Sequence, residues 1–139
     1  MSLARFIEAQ ARIWPAPLEE IRRGRKESHW MWFVFPQLRG LGRSATAQHY
    51  GIADLAEARA YLADPDLGSR LVQIGEAMLG HAGTPPEVIL GAVDAVKLRS
   101  SATLFEAAGG ARVFGQLLAA FYTGKPCDAT LRMIKDTPQ

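Results

Sequence analysis

Residues 67–78 read LGSRLVQIGEAM. Leu67, Leu71, Ile74 and Met78 step by four, three and four. Side chains three and four apart share one face of an α-helix, so this spacing predicts a helix with an apolar stripe turned to a core. The same period extends outward in both directions. Upstream, Pro65 breaks a preceding helix on which Leu55, Ala58 and Leu62 share a face. Asp54 is its N-cap, with Glu57 three residues on as a capping box. Further back, Leu3, Phe6, Ile7, Ile13 and Trp14 follow a helical stripe ended by Pro15. Pro17 opens a second helix through Leu18 and Ile21 that stops near Gly24. Downstream, Thr84, Pro85 and Glu87 mark another start, as cap, first-turn proline and capping-box acid. Asp94 to Ala108 form a helix with Leu98 and Phe105 inward, closed by Gly109 and Gly110. Val113, Phe114, Leu117, Leu118 and Phe121 define one more, and Asp128 caps a last short helix through Leu131 and Ile134. The expected fold is all-α, a single compact multi-helix domain over residues 1–139.

A chain of 139 residues with 48% apolar and 22% charged residues can bury a core of its own. Its net charge of +2, from 16 basic and 14 acidic residues, is too mild to point to nucleic acid. The short run Arg22, Arg23, Arg25 and Lys26 reads as a solvated face. Trp30 to Phe35 is the apolar run that stands out, far short of the ~20 residues a membrane span needs. The N-terminus lacks the pattern of a secretory signal. A cytoplasmic location is expected. One cysteine, Cys127, excludes an internal disulfide, and His29, His49 and His81 have no compact ligand spacing, so neither a metal nor another cofactor is expected. Cys127 lies between Pro126 and a helix cap with no base nearby in sequence, which argues against a nucleophile.

Residues 28–38 fit neither the helical nor the strand period, and a buried helix is preferred because no partner strand is evident. They belong to a longer stretch, 25–50, that carries two Trp, two Phe, two His and a Tyr among polar groups. Aromatic walls with polar groups set between them are the composition of a small-molecule pocket. Glu27 and His29 are a candidate proton-handling pair, against the plainer reading of a surface acid and a histidine beside buried aromatics. Ser44 caps a helix carrying Gln48, His49 and Tyr50. Lys97 and Arg99 stand two apart, so on a helix they diverge by roughly 200°. Arg99 with Ser100, Ser101 and Thr103 offers donors suited to phosphate or carboxylate oxygens, or else a solvated basic face.

Several motifs in order carry a family likeness. They are Gly24-Arg25-Lys26, Ser28-His29-Trp30-Met31-Trp32-Phe33, Phe35-Pro36-Gln37-Leu38, Gly40-Leu41-Gly42, Ala47-Gln48-His49-Tyr50-Gly51-Ile52 and Lys97-Leu98-Arg99-Ser100 with Thr103-Leu104-Phe105. Through them the chain resembles the domain of unknown function 1810 family over nearly its whole length. That resemblance implies a compact, mainly α-helical bacterial domain and no assigned activity. The family pattern has an acidic pair and a Met before the Lys and a Cys after the Ser. Here those places hold Asp94, Ala95 and Val96, then Ser101.

The segment Ser44 to Tyr50, with Lys97 later, is also similar to NADAR domains, which are linked to NAD and ADP-ribose chemistry. Gln48 stands at the place of their Glu and cannot act as acid or base, so a catalytic carboxylate would come from Glu27 or Asp94. The resulting expectation is a nucleotide-like ligand. Trp30, Trp32 or Tyr50 would stack its base, and Arg39, Arg43, Lys97 and Arg99 would hold its phosphates, with His49 lining the pocket. Glu27, His29 and Asp94 would carry any hydrolysis of an N-glycosidic bond. The alternative is a non-enzymatic interaction module or homodimer, with the aromatic run as core or interface.

Overall fold

A computed structural model describes residues 2–136. Among them the chain forms ten helices and no strand, so the all-α expectation holds. In chain order these are α1 (Ala4–Ile13), α2 (Ala16–Arg22), α3 (Met31–Val34), α4 (Ala45–His49) and α5 (Leu55–Ala63). They are followed by α6 (Pro65–Leu79), α7 (Pro86–Leu90), α8 (Ala92–Ala107), α9 (Val113–Tyr122) and α10 (Asp128–Asp136).

The stripe of α6 is the spine. Leu67, Leu71, Ile74 and Met78 are all buried, and α6 packs on α2, α5 and α9. The joint before it is tight. Asp64 closes α5 and caps α6, its carboxylate accepting from the Asp66 and Leu67 amides at 3.0 and 2.9 Å. A side chain at Gly68 would place its Cβ 2.2 Å from the Leu62 carbonyl oxygen, so only glycine lets α5 and α6 meet this closely. Buried Leu98, Leu104 and Phe105 of α8 join the same core, with Phe114 and Leu117 of α9.

Two polar knots tie α1 to this core. Arg5 pairs with Glu57 at 2.6 Å, and Glu57 also accepts from the Ala53 amide at 3.0 Å. Gln10, buried, donates to the Phe33 carbonyl at 2.7 Å and to the Tyr61 hydroxyl at 2.9 Å. Burial pushes the Tyr61 phenol far above its ordinary range.

Two helix starts differ from the sequence expectation. Thr84 does not cap α7: Pro85 holds the cap position and Pro86 the first turn, without a side-chain cap. Asp128 is the first residue of α10, and the Cys127 carbonyl accepts from the Leu131 amide at 3.2 Å. Residues 28–38 are mostly loop around the one-turn helix α3, and Leu38 makes an isolated parallel bridge to Ile52.

Candidate functional site

The loop before α3 is set by one carboxylate. Glu20 of α2 is 5% exposed and accepts four hydrogen bonds from residues seven to ten positions on. They come from the Glu27 amide (2.7 Å), the Ser28 amide (3.0 Å), the Ser28 hydroxyl (2.5 Å) and the Trp30 indole (2.9 Å). Burial alone would raise its pKa. The Ser28 hydroxyl, Glu27 amide, Trp30 indole and Ser28 amide together outweigh that and hold it at about 2. The Lys26 amide donates to the Ile89 carbonyl at 2.8 Å, pinning the same loop to α7.

This clamp delivers Lys26 to α8. Its ammonium lies 2.9 Å from one oxygen of Asp94, and Lys97 lies 3.4 Å from the other. Each lysine also faces an indole: Lys26 is 5.1 Å from the Trp30 ring centre and Lys97 is 4.7 Å from that of Trp32. Two ammonium groups against one carboxylate leave this cluster with an excess positive charge.

Beside it opens a cleft of about 490 Å3, lined by Gln37, Leu41 and Gly42 on one side, by Val93, Val96, Lys97 and Ser100 of α8, and by Cys127 and Ala129. The volume and the mix of apolar wall and few polar groups are those of a small-molecule site. At its inner end the Ser100 hydroxyl donates to the Cys127 sulfur at 3.5 Å, and the Cys127 amide donates to the Thr103 hydroxyl at 2.9 Å. Thr103 in turn donates to the Arg99 carbonyl at 2.8 Å. Burial works to raise the Cys127 pKa. Hydrogen bonds from the Ser100 and Thr130 hydroxyls and from the Thr130 and Ala129 amides outweigh it and bring the thiol below its ordinary value.

The residues singled out in the sequence fall in five places. Asp94 and Lys97 meet at the cleft, with Trp32 half-buried beside Lys97. Trp30 is 1% exposed and belongs to the core, its indole spent on Glu20. Glu27 and His29 lie on the exposed loop, Glu27 3.9 Å from Arg23. Arg39, Arg43, His49 and Tyr50 gather around α4. Arg39 donates to the Gln48 and Gly51 carbonyls, both at 3.2 Å, and the Arg43 carbonyl accepts from the Gln48 amide group at 3.2 Å. The His49 ring meets Tyr50 edge-on at 4.6 Å, and Tyr50 packs on Phe33. Arg99 diverges from Lys97 along α8, donating to the Lys125 carbonyl at 2.8 Å and facing Tyr122. Among the described residues no group of three or more His, Cys, Asp or Glu could hold a metal ion, and no helix is long and apolar enough to cross a membrane.

Glu20 and Cys127 were not foreseen as site-forming. An acid followed within ten residues by a Ser and a Trp is too common a pattern to flag. The partners of Cys127 lie 24 and 27 residues away, and only the packing of α10 on α8 brings them together.

These features define a small all-α domain with a lysine-flanked acid and a half-buried thiol at one open cleft. The chain belongs to the family described as protein of unknown function (DUF1810), which it matches over residues 1–134. It is similar to the crystal structure of the conserved hypothetical protein Rv1873 from Mycobacterium tuberculosis, at 46% identity over 97% of each chain with a TM-score of 0.94. No curated protein matches it.

Proposed function

We propose that the protein binds a small nucleotide-like ligand, of the NAD or ADP-ribose type, in the cleft over α8. The observation that carries this reading is the chain Lys26–Asp94–Lys97 at the cleft edge, with Lys97 against the Trp32 ring. Lys97 is the contact for a phosphate, Trp32 offers a ring face, and Leu41, Val93 and Val96 take the apolar surface of the ligand. If the bound molecule is cleaved, Asp94 is the carboxylate placed to stabilise the positive charge that develops on a sugar as an N-glycosidic bond breaks. The likeness of residues 44–50 and of Lys97 to NADAR domains points the same way. A cytoplasmic location goes with such a ligand.

The test is a thermal-shift series with ADP-ribose, NAD, AMP and inorganic phosphate on the wild type and on Lys97→Ala. A ligand at 100 times its Kd stabilises by about 2.7 kcal/mol, which is several degrees for a domain of this size. The expected result is a shift with ADP-ribose or NAD that disappears in Lys97→Ala while the unliganded melting point stays. A flat wild-type series, or a shift that survives the substitution, overturns the reading.

A second reading, an interaction module or homodimer, is favoured by Val93 and Val96, 71% and 66% exposed and one helical step apart on α8. Light scattering at rising concentration, with Val96→Asp as control, separates it from a monomeric binder.

A further inference from the structure

Resting on the reading that the cleft over α8 takes the ligand, we propose that Lys26 is the positioning residue that makes this cleft a site for an anion. Lys26 does not touch the ligand. It occupies Asp94, so that the Lys97 ammonium keeps charge to spare.

The run Arg22, Arg23, Arg25 and Lys26 reads in sequence as a solvated face, and its three arginines are exposed. Lys26 departs from them, with a side chain only 9% exposed. Its amide is bonded to the Ile89 carbonyl, and the Glu20 carboxylate holds the next two amides. The ammonium is thereby delivered to Asp94 at 2.9 Å, against the ring of the buried Trp30. A lysine is rarely taken this far out of water unless it is paired.

Lys97 is placed differently. It reaches the other Asp94 oxygen at 3.4 Å from three residues further along α8, and its side chain, 19% exposed, lines the cleft. Among the described residues no other carboxylate forms an ion pair with either lysine. One negative charge therefore answers two positive ones, and the closer, more deeply buried partner takes the larger share. The remainder sits on the residue that faces the cleft, beside the Trp32 ring and the apolar side chains of Leu41, Val93 and Val96. Gln37, Leu41 and Gly42 of the opposite wall bring no acid to cancel it. A ligand with an acidic group on a flat, apolar body answers the charge and covers the wall.

Counting charges separates this role from a structural one. The wild-type cluster has one positive charge in surplus. Lys26→Met leaves one ammonium and one carboxylate, and Asp94 captures Lys97. The double variant Lys26→Met/Asp94→Asn leaves Lys97 alone, and the surplus returns. Removing one partner of a buried pair costs stability, whereas the double variant strands no buried charge.

The experiment is a fluorescence titration of the full chain with 8-anilinonaphthalene-1-sulfonate and with its uncharged parent, N-phenyl-1-naphthylamine. The two probes share their rings and differ by one sulfonate. The readout is the ratio of their affinities, with folding checked by circular dichroism. The wild type is expected to favour the sulfonate, Lys26→Met to lower that preference several-fold, the double variant to restore it and Lys97→Ala to lose it. A structural prop would weaken both probes together and would not be rescued by the second substitution. A ratio untouched by Lys26→Met, one that stays low in the double variant, or one that survives Lys97→Ala overturns the role of Lys26. If Lys26→Met does not fold, the double variant decides: a wild-type preference sustains the role and a lost one overturns it. No nucleotide is used, so a flat ADP-ribose series beside this sulfonate pattern removes the nucleotide and keeps the anion site, and the reverse pattern removes only the role of Lys26.

Discussion

Glu20 and Cys127 are both acceptors surrounded by donors, and they differ in where the fourth side opens. The Glu20 carboxylate has every donor supplied from one loop and almost no exposed surface. Its charge is consumed in holding residues 27–30, and through them Lys26, in place. The Cys127 sulfur draws donors from two helices, yet the residue is only half-buried and lines a cleft. A saturated, closed nest is architecture. An open nest leaves its acceptor within reach of whatever enters the cleft.

The contrast can be broken most sharply at the closed end. Glu20→Ala strands the buried Trp30 indole and loosens the loop. At roughly 1–3 kcal/mol per buried orphan donor, the expected loss is about 3 kcal/mol by urea denaturation. Acid should expose the same nest. The Glu20 carboxyl is depressed from 4.5 to about 2 in the folded protein, so its contribution is whole above pH 4.5 and drains away as pH falls toward 2. At about 1.4 kcal/mol per pKa unit that contribution is about 3 kcal/mol, and Glu20→Gln should flatten this limb of the stability profile. An unchanged acid limb in Glu20→Gln would show that the nest is not closed.

At the open end the stability effects should be small. Thr130→Val exchanges a fully buried hydroxyl beside Cys127 for a methyl of the same shape, so the fold is expected to change by less than about 1 kcal/mol in thermal melts. Lys97→Ala, at a partly exposed pair, should change the unliganded stability by less than about 1 kcal/mol. A loss of several kcal/mol at either position would make the cleft architectural as well.

The helices were legible where spacing and caps agree. The stripe of α6, the Asp54 and Ser44 caps and the glycine end of α8 all stand where the residues place them. Trp30 and Trp32 were not separable, because two positions along the chain say nothing about which ring the Glu20 loop turns inward. The divergence of Lys97 and Arg99 follows from helical geometry and is seen. The thiol's surroundings were illegible for the opposite reason, since a proline on one side and an aspartate on the other hide partners contributed by another helix.

The shared Asp64 also bears on how the length of this chain can change. With one residue serving both α5 and α6, the joint has no slack. Inserting or deleting a single residue there would turn α6 by about 100° about its axis and swing Leu67, Leu71, Ile74 and Met78 out of the core. After α6 the His81 ring meets the Ile21 carbonyl at 2.7 Å, but around Gly83 there is open space. Extra residues are therefore tolerable at Gly83 and ruinous at 63–65, so a tag, a graft or a split site belongs beyond the far end of that helix.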